Sequence, residues 1–170
     1  MKEHLKTAIL LAFICLIAAG SLGYFYQLTN PIIVQQQINA KIMIKKELLP
    51  QATEFKDIKV EDKEVSIGIN SGKIVGGVIT LGVKGYGGLI DMVIGADSNG
   101  KVTGVRILSH SETPGLGERA TKESYLSQFI GKDQENLDTA PLITGATISS
   151  KAIKNGVKEG ISIISEAMKE

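Results

Sequence analysis

Two threonines enclose two small residues, and two serines follow, in the string Thr144-Gly145-Ala146-Thr147-Ile148-Ser149-Ser150. The string runs directly into a helical pattern. Apolar residues recur at Ile153, Val157, Ile161, Ile164 and Met168, spacings of four, four, three and four, with Lys151, Lys154, Lys158 and Glu159 on the other face. This predicts an amphipathic helix with Ser149 or Ser150 as its N-cap. The free N–H groups and the dipole at a helix N-terminus favour negative charge. Gly145 and Ala146 let an anion approach the main chain closely, and a threonine hydroxyl held there can carry a phosphate. The same residues also read as an ordinary capped helix start.

Two further strings carry possible chemistry. Lys84-Gly85-Tyr86-Gly87-Gly88 sets one aromatic among three glycines, a loop that another group can approach closely. His110-Ser111-Glu112-Thr113-Pro114-Gly115-Leu116-Gly117 offers an imidazole, a carboxylate and a hydroxyl beside a turn. Other chemistries lack their residues. No G-x-S-x-G elbow surrounds Ser149, so a hydrolase using it with His110 has little support. Neither a P-loop nor a strand–G-x-G-x-x-G–helix unit is present. The single cysteine, Cys15, excludes an intramolecular disulfide framework and a cysteine-rich metal or iron–sulfur site. A net charge of +1 without a basic run gives no sign of a nucleic-acid partner. No metal site is expected; Asp97-Ser98-Asn99-Gly100 lacks the following Glu of a calcium loop and reads as a turn.

The elements that must position these strings follow from periodicity. Residues 8–26 form an uncharged, almost wholly apolar run of 19 residues. At about 1.5 Å per residue this crosses a hydrocarbon core of ~30 Å. Lys2 and Lys6 precede the run and the next charge is Lys41, which places the N-terminus in the cytoplasm and residues 27–170 outside. Tyr24 and Tyr26 are expected at the outer interface. Ala18-Ala19-Gly20-Ser21 resembles a signal-peptidase exit, yet the run continues past it, which favours a retained anchor. Cys15 lies mid-span as a small apolar residue.

Asn30-Pro31 predicts a break and a second helix from Pro31 to about Leu49, stopped by Pro50. Its stripe of Val34, Ile38, Ile42 and Leu49 is interrupted by Lys45 and Lys46. From Asp57 the pattern is β. Glu64–Ile69 alternates, Lys73–Val83 is a long β-rich run in which Gly76-Gly77 marks a bulge or close backbone approach, and 89–95 and 102–108 flank the Asp97–Gly100 turn. A short helix over Lys122–Phe129 ends at Gly131. The expected fold is α+β, a single N-terminal transmembrane helix followed by a small antiparallel sheet flanked by helices. Residues 1–27 form the anchor, 28–50 a linking helix and 51–170 the extracytoplasmic domain.

The Thr144–Ser150 string resembles the [S/T]-G-A-T-x-[S/T] signature of FMN-binding domains. That family includes the G subunit of the Rnf ion-translocating oxidoreductase and the C subunit of the Na+-translocating NADH:quinone reductase. Gly85–Gly88 and Glu112–Gly117 resemble that family's G-Y-G-G and E-T-P-G-L-G elements, in the same order, so the likeness runs from about Lys73 to Met168. The G subunit is the nearer match, because the C subunit is usually longer.

The resemblance implies FMN carried covalently on Thr147 by a phosphoester bond, installed from FAD by a separate Mg2+-dependent flavin transferase. It implies that Thr144, Ser149 and Ser150 bond the phosphate beside Gly145 and Ala146, with Lys151 adding a charge or simply facing solvent. Glu112, Thr113, Gly115 and Leu116 become a wall for the flavin ring. Glu112 is alternatively a brace for its loop, Tyr86 stacks on the ring or fills the sheet's end, and His110 is mainly structural. The family usually has an acid three residues before the first hydroxyl, where this chain has Pro141, with Asp138 further upstream. The implied role is electron transfer between ferredoxin and NAD, coupled to Na+ or H+ movement, beside other membrane subunits of an Rnf-type complex in the inner (cytoplasmic) membrane. No stand-alone catalytic residue is expected. A membrane-anchored module that binds FMN noncovalently, with a sensory role, is the alternative from another class.

Overall fold

The computed structural model describes residues 2–60 and 62–169, with side chains described at all of these except 2, 3, 5, 7 and 31–38. It contains two compact units, Met1–Ile42 and Met43–Glu170. Helix α1, Lys2–Leu48, makes up the first and contributes its last turns to the second. Within it, Ala8–Asn30 is a 23-residue stretch long and apolar enough to cross a membrane. Leu16 and Leu22 are among its most exposed side chains, at 73% and 74%. An apolar helix with no polar face needs an apolar environment on every side.

The break predicted at Asn30-Pro31 is absent, for the helical backbone runs straight through both residues. A proline inside a helix removes one backbone bond and costs about 3 kcal/mol, which a helix of 47 residues absorbs. Just before Asn30-Pro31, Thr29 Oγ1 donates to the Phe25 carbonyl at 2.5 Å. Of the predicted stripe, Val34 and Ile38 lie outside the described side chains. Ile42 is exposed and Leu49, just beyond the helix, is buried. The predicted stop before Pro50 is observed.

The second unit is built on a five-stranded antiparallel sheet in sequence order, β1 Glu54–Val60, β2 Lys63–Asn70, β3 Lys73–Lys84, β4 Leu89–Asp97 and β5 Val102–His110. Ser71-Gly72 joins β2 to β3 with φ of 51° and 76°, as a two-residue hairpin loop demands. Asp97 Oδ1 accepts the Asn99 and Lys101 N–H groups, each at 2.9 Å, and closes the β4–β5 turn. The register shifts between Gly68 and Ile69, so that Gly76 opposes Gly68. A Cβ at Gly76 would overlap the Ala96 carbonyl oxygen, which is the close backbone approach expected there.

After β5 come a 3-10 turn Gly117–Thr121, the short helix α2 Glu123–Leu126, further 3-10 turns at Ser127–Phe129 and Leu137–Thr139, and the long helix α3 Thr147–Ala167. Strand β1 starts three residues ahead of Asp57, where the β pattern begins in the sequence, and the turns at Gly117 and Leu137 have too little periodicity to show there.

Helix α3 lies across one face of the sheet. Ile153, Val157, Ile161 and Ile164 are buried in one core with Val65, Ile79, Met92 and Ile94. Gly156 and Gly160, one turn apart, sit on the same face. A Cβ on Gly160 would stand 2.6 Å from Ile94 Cδ1, and one on Gly156 would overlap Met92 Cε. Glycine therefore sets how closely α3 approaches the strands.

The end of α1 covers the opposite face, where Leu48, Leu49 and Ala52 pack with Val78 and Val93. Gly95 and Gly104 leave room for Leu48. Lys45, which interrupts the sequence stripe, pairs with Asp57 Oδ1 at 3.0 Å, and Ser66 Oγ donates to the same oxygen at 2.5 Å. That hydroxyl and that ammonium hold the Asp57 carboxyl below its ordinary range, against the opposing pull of partial burial.

Candidate functional site

Three connections converge at the N-terminal end of α3. The first is the turn Ile143–Ala146, in which the Ala146 N–H donates to the Ile143 carbonyl at 2.9 Å. Its third residue, Gly145, has φ +83°, a value that glycine adopts without strain. The second turn is Thr113–Leu116, closed by the Leu116 N–H on the Thr113 carbonyl at 3.2 Å. Pro114 and Gly115, with φ +76° at the glycine, fit its two central positions. The third is the β3–β4 connection, where the Gly85 N–H donates to the Gly88 carbonyl at 2.8 Å.

Helix α3 begins at Thr147, with Ala146 at the capping position and no side chain bonded there. The predicted N-cap, Ser149 or Ser150, is thus corrected: both serines lie inside the first turn and are buried. Their hydroxyls find partners elsewhere. Ser150 Oγ donates to the Ala146 carbonyl at 2.8 Å and accepts the Ile143 N–H at 3.3 Å, which ties the turn to the helix. Tyr125, buried against Phe129 with ring centres 5.3 Å apart, donates its hydroxyl to the Ser150 carbonyl at 3.2 Å. Burial raises the Tyr125 phenol above its usual value.

A cleft of about 370 Å³ opens in front of this turn, lined by Tyr86, Leu116, Gly117, Gly145, Ala146, Thr147, Ile148 and Ser149. The volume falls within the range of small-molecule sites. Tyr86, Leu116 and Ile148 are 72%, 52% and 57% exposed, unpaired apolar surface suited to a flat ring. Thr147 is exposed, and its hydroxyl makes only a 3.5 Å approach to the Ile143 carbonyl. The N–H groups of the first helical turn have no intrahelical partner. A Cβ at Gly145 would meet nothing within 4 Å, so that side of the turn is open. An exposed hydroxyl, free N–H groups and apolar walls together fit a phosphate joined to a flat heterocycle.

The structure sorts the candidate residues. Tyr86, Leu116, Gly145, Ala146, Thr147 and Ser149 line the cleft; Thr144, Ser150, Lys151, Glu112, Thr113 and Gly115 do not. The Thr144 carbonyl accepts from Arg119 at 3.5 Å, and Lys151 is exposed on α3. Thr113 and Gly115 shape the turn that presents Leu116. His110 is engaged away from Ser149, its Nδ1 accepting the Glu112 backbone N–H at 3.3 Å. Asp138 is paired with Lys158 at 2.8 Å, and that bond depresses its carboxyl; Pro141 is exposed.

Glu112 lies beneath the cleft, 5% exposed. Ser149 Oγ donates to its Oε2 at 2.7 Å, and the Gly87 N–H donates to its Oε1 at 3.2 Å. One side chain therefore joins all three strings.

Sequence reasoning missed Ile148, which had a signal, being apolar at the start of α3 but off the Ile153–Ile164 stripe. Gly117, the last residue of the Glu112–Gly117 element, lines the cleft beside Leu116.

The FMN-binding domain family matches residues 85–162, which include all three strings. The G subunit of the proton-translocating ferredoxin:NAD(+) oxidoreductase complex of Clostridium ljungdahlii is 34% identical over 89% of this chain and 86% of its own. The G subunit of an ion-translocating oxidoreductase complex of Methanosarcina acetivorans is 30% identical over 96% of both chains. Among solved structures, NqrC of Shewanella oneidensis shares the fold with a TM-score of 0.52, at 19% identity over 72% of this chain and 73% of that one. Together with three strings converging on one cleft, these relatives show that the chain belongs to the FMN-binding-domain family, among the G subunits of ion-translocating oxidoreductase complexes.

Proposed function

We propose that this protein is an electron-transfer subunit of a membrane ion-translocating complex of the Rnf type, and that its cleft carries FMN joined to Thr147 by a phosphoester. The observation that carries the reading is Thr147 itself. It opens α3, lines an apolar cleft and presents a hydroxyl with no close partner. FMN, when bound, supplies the redox chemistry. The first-turn N–H groups and the helix dipole favour its phosphate. Gly145 leaves the approach to the turn open, while Tyr86, Leu116 and Ile148 offer apolar walls for the ring. Ser149, bonded downwards to Glu112, braces the floor, and Ser150 holds the turn in shape.

Attachment requires a separate flavin transferase acting with FAD and Mg2+. The Thr147 oxygen forms the new bond to phosphorus as the phosphoanhydride bond of FAD breaks. AMP leaves, and the hydroxyl proton is released. Asp138 is occupied by Lys158, and Pro141 stands where the family usually has an acid. Pro141→Asp is therefore expected to speed labelling.

The apolar stretch of α1 fits an inner-membrane anchor, residues 1–27, with Lys2 and Lys6 on the cytoplasmic side. Residues 28–50 then lead to an extracytoplasmic domain, 51–170, that works beside the other membrane subunits. A reporter on the C-terminus should be active only when it functions outside the cytoplasm.

The deciding experiment uses the full-length protein produced in membranes with the transferase. A denaturing gel should show an ultraviolet-fluorescent band, and mapping should place one FMN less water on the peptide containing Thr147. Flavin lost on denaturation would favour a noncovalent FMN-binding module. FMN on Thr144, Ser149 or Ser150 would overturn the assignment to Thr147.

A further inference from the structure

A second ionisable group in the site has no place in the attachment chemistry: the Glu112 carboxylate. It is buried, and both of its oxygens accept, Oε2 from Ser149 Oγ at 2.7 Å and Oε1 from the Gly87 N–H at 3.2 Å. Each oxygen thus has one neutral partner, a hydroxyl on one side and a backbone N–H on the other. Among the described residues, no lysine, arginine or histidine forms an ion pair with it. A buried charge held by neutral donors alone is expensive, and an apolar side chain of similar volume would fill such a space at lower cost.

The surroundings are nevertheless shaped around it. A Cβ on Gly117 would overlap Oε2, and one on Gly85 would overlap Oε1. A Cβ on Gly87 would overlap the Ser111 carbonyl oxygen beside it. Three glycines on two loops thus make room for one carboxylate and the segment that bears it. Ser149 links the carboxylate to the first turn of α3, the positive end of that helix's dipole. That serine also lines the cleft.

We infer that Glu112 is a positioning residue that closes the cleft from below and places a fixed negative charge behind its floor, one hydroxyl away from the cleft. The inference rests on the FMN reading of the cleft. A buried negative charge opposes the arrival of an electron nearby, because the low-dielectric interior screens it poorly. Its effect is to lower the reduction potential of the flavin. Through Gly87 and Ser149 the same carboxylate fixes the Tyr86 loop against the start of α3.

Two measurements test the inference. In full-length flavinylated protein, Glu112→Gln keeps the volume and the hydrogen-bonding reach but removes the charge. The midpoint potential of the flavin that is bound should rise. Glu112→Asp, which keeps the charge, should lie closer to the parent than Glu112→Gln. A Glu112→Gln protein with the parent potential overturns the electrostatic role. If Glu112→Gln fails to fold, Glu112→Met replaces it, since it also removes the charge while filling a similar volume; an unmoved potential there has the same consequence.

In flavin-free protein, Glu112→Ala should speed amide hydrogen exchange at Gly87 roughly tenfold, the loss of one charge-assisted bond. Unchanged exchange overturns the positioning role. Parent protein that takes up no flavin refutes the FMN reading instead, and the Gly87 exchange still decides whether Glu112 holds the loops.

Discussion

The two ends of α3 meet opposite demands with different residues. From Ile153 onward the helix is a packing element, with Ile153, Val157, Ile161 and Ile164 all at most 1% exposed. Its two glycines bring it close to β3 and β4. The first turn reverses that order. Thr147 and Ile148 are exposed, while the buried side chains are the hydroxyls of Ser149 and Ser150, each consumed by a hydrogen bond. Apolar contact is tolerant of exact partners, so the body of the helix resists change by degrees. A buried hydroxyl or carboxylate depends on one particular donor or acceptor, so the first turn responds to single atoms.

The sharpest contrast pits Thr147→Ala against Ile161→Ala. Thr147→Ala should abolish covalent flavin completely yet change the unfolding free energy by no more than about 0.5 kcal/mol, as is usual for an exposed site. Ile161→Ala should cost about 2–5 kcal/mol by leaving a cavity in the core, while flavin still attaches to Thr147. Denaturant unfolding and gel fluorescence read the two quantities separately. If Ile161→Ala blocked attachment as fully as Thr147→Ala, the two ends would not be independent.

Gly117→Ala should fall between these cases. The new methyl overlaps Glu112 Oε2, so the carboxylate or its loop must move, at about 1–3 kcal/mol. Flavin yield should drop without vanishing, since Thr147 itself is untouched. Equal yields in variant and parent would show that the floor yields to a methyl without disturbing the turn.

The smallest effect lies on the far face of the sheet. Asp57, bonded by Ser66 and Lys45, has a lowered folded value. Its contribution is present in full above the ordinary carboxylate range and is lost as pH falls through the lowered value. The Asp57 side chain is about half exposed, at 47%, so solvent screening keeps the amount under about 1 kcal/mol. Asp57→Asn should flatten that acid limb of the stability profile and leave flavin attachment unchanged. An equally steep limb in Asp57→Asn would assign the acid sensitivity to other carboxylates.

Much of this protein was legible in its sequence because local pattern and local chemistry agree. The apolar run in α1, the alternation in β2, the Asp97–Gly100 turn and the stripe of α3 each follow from spacings of two, three or four residues. The strings at Gly85, Glu112 and Thr144 likewise announced a site by composition, and Gly115 and Gly145 occupy turn positions that require glycine. The continuous helix at Pro31 went the other way, since a local stop signal lost to helical runs on both sides. The division of labour among the hydroxyls, by contrast, was settled only in three dimensions. Ser150 belongs to the turn, Ser149 to Glu112, and Thr147 keeps only a 3.5 Å approach to the Ile143 carbonyl. That outcome depends on a carboxylate 37 residues from Ser149, brought under α3 by the path of β5, and no spacing along the chain encodes such a meeting.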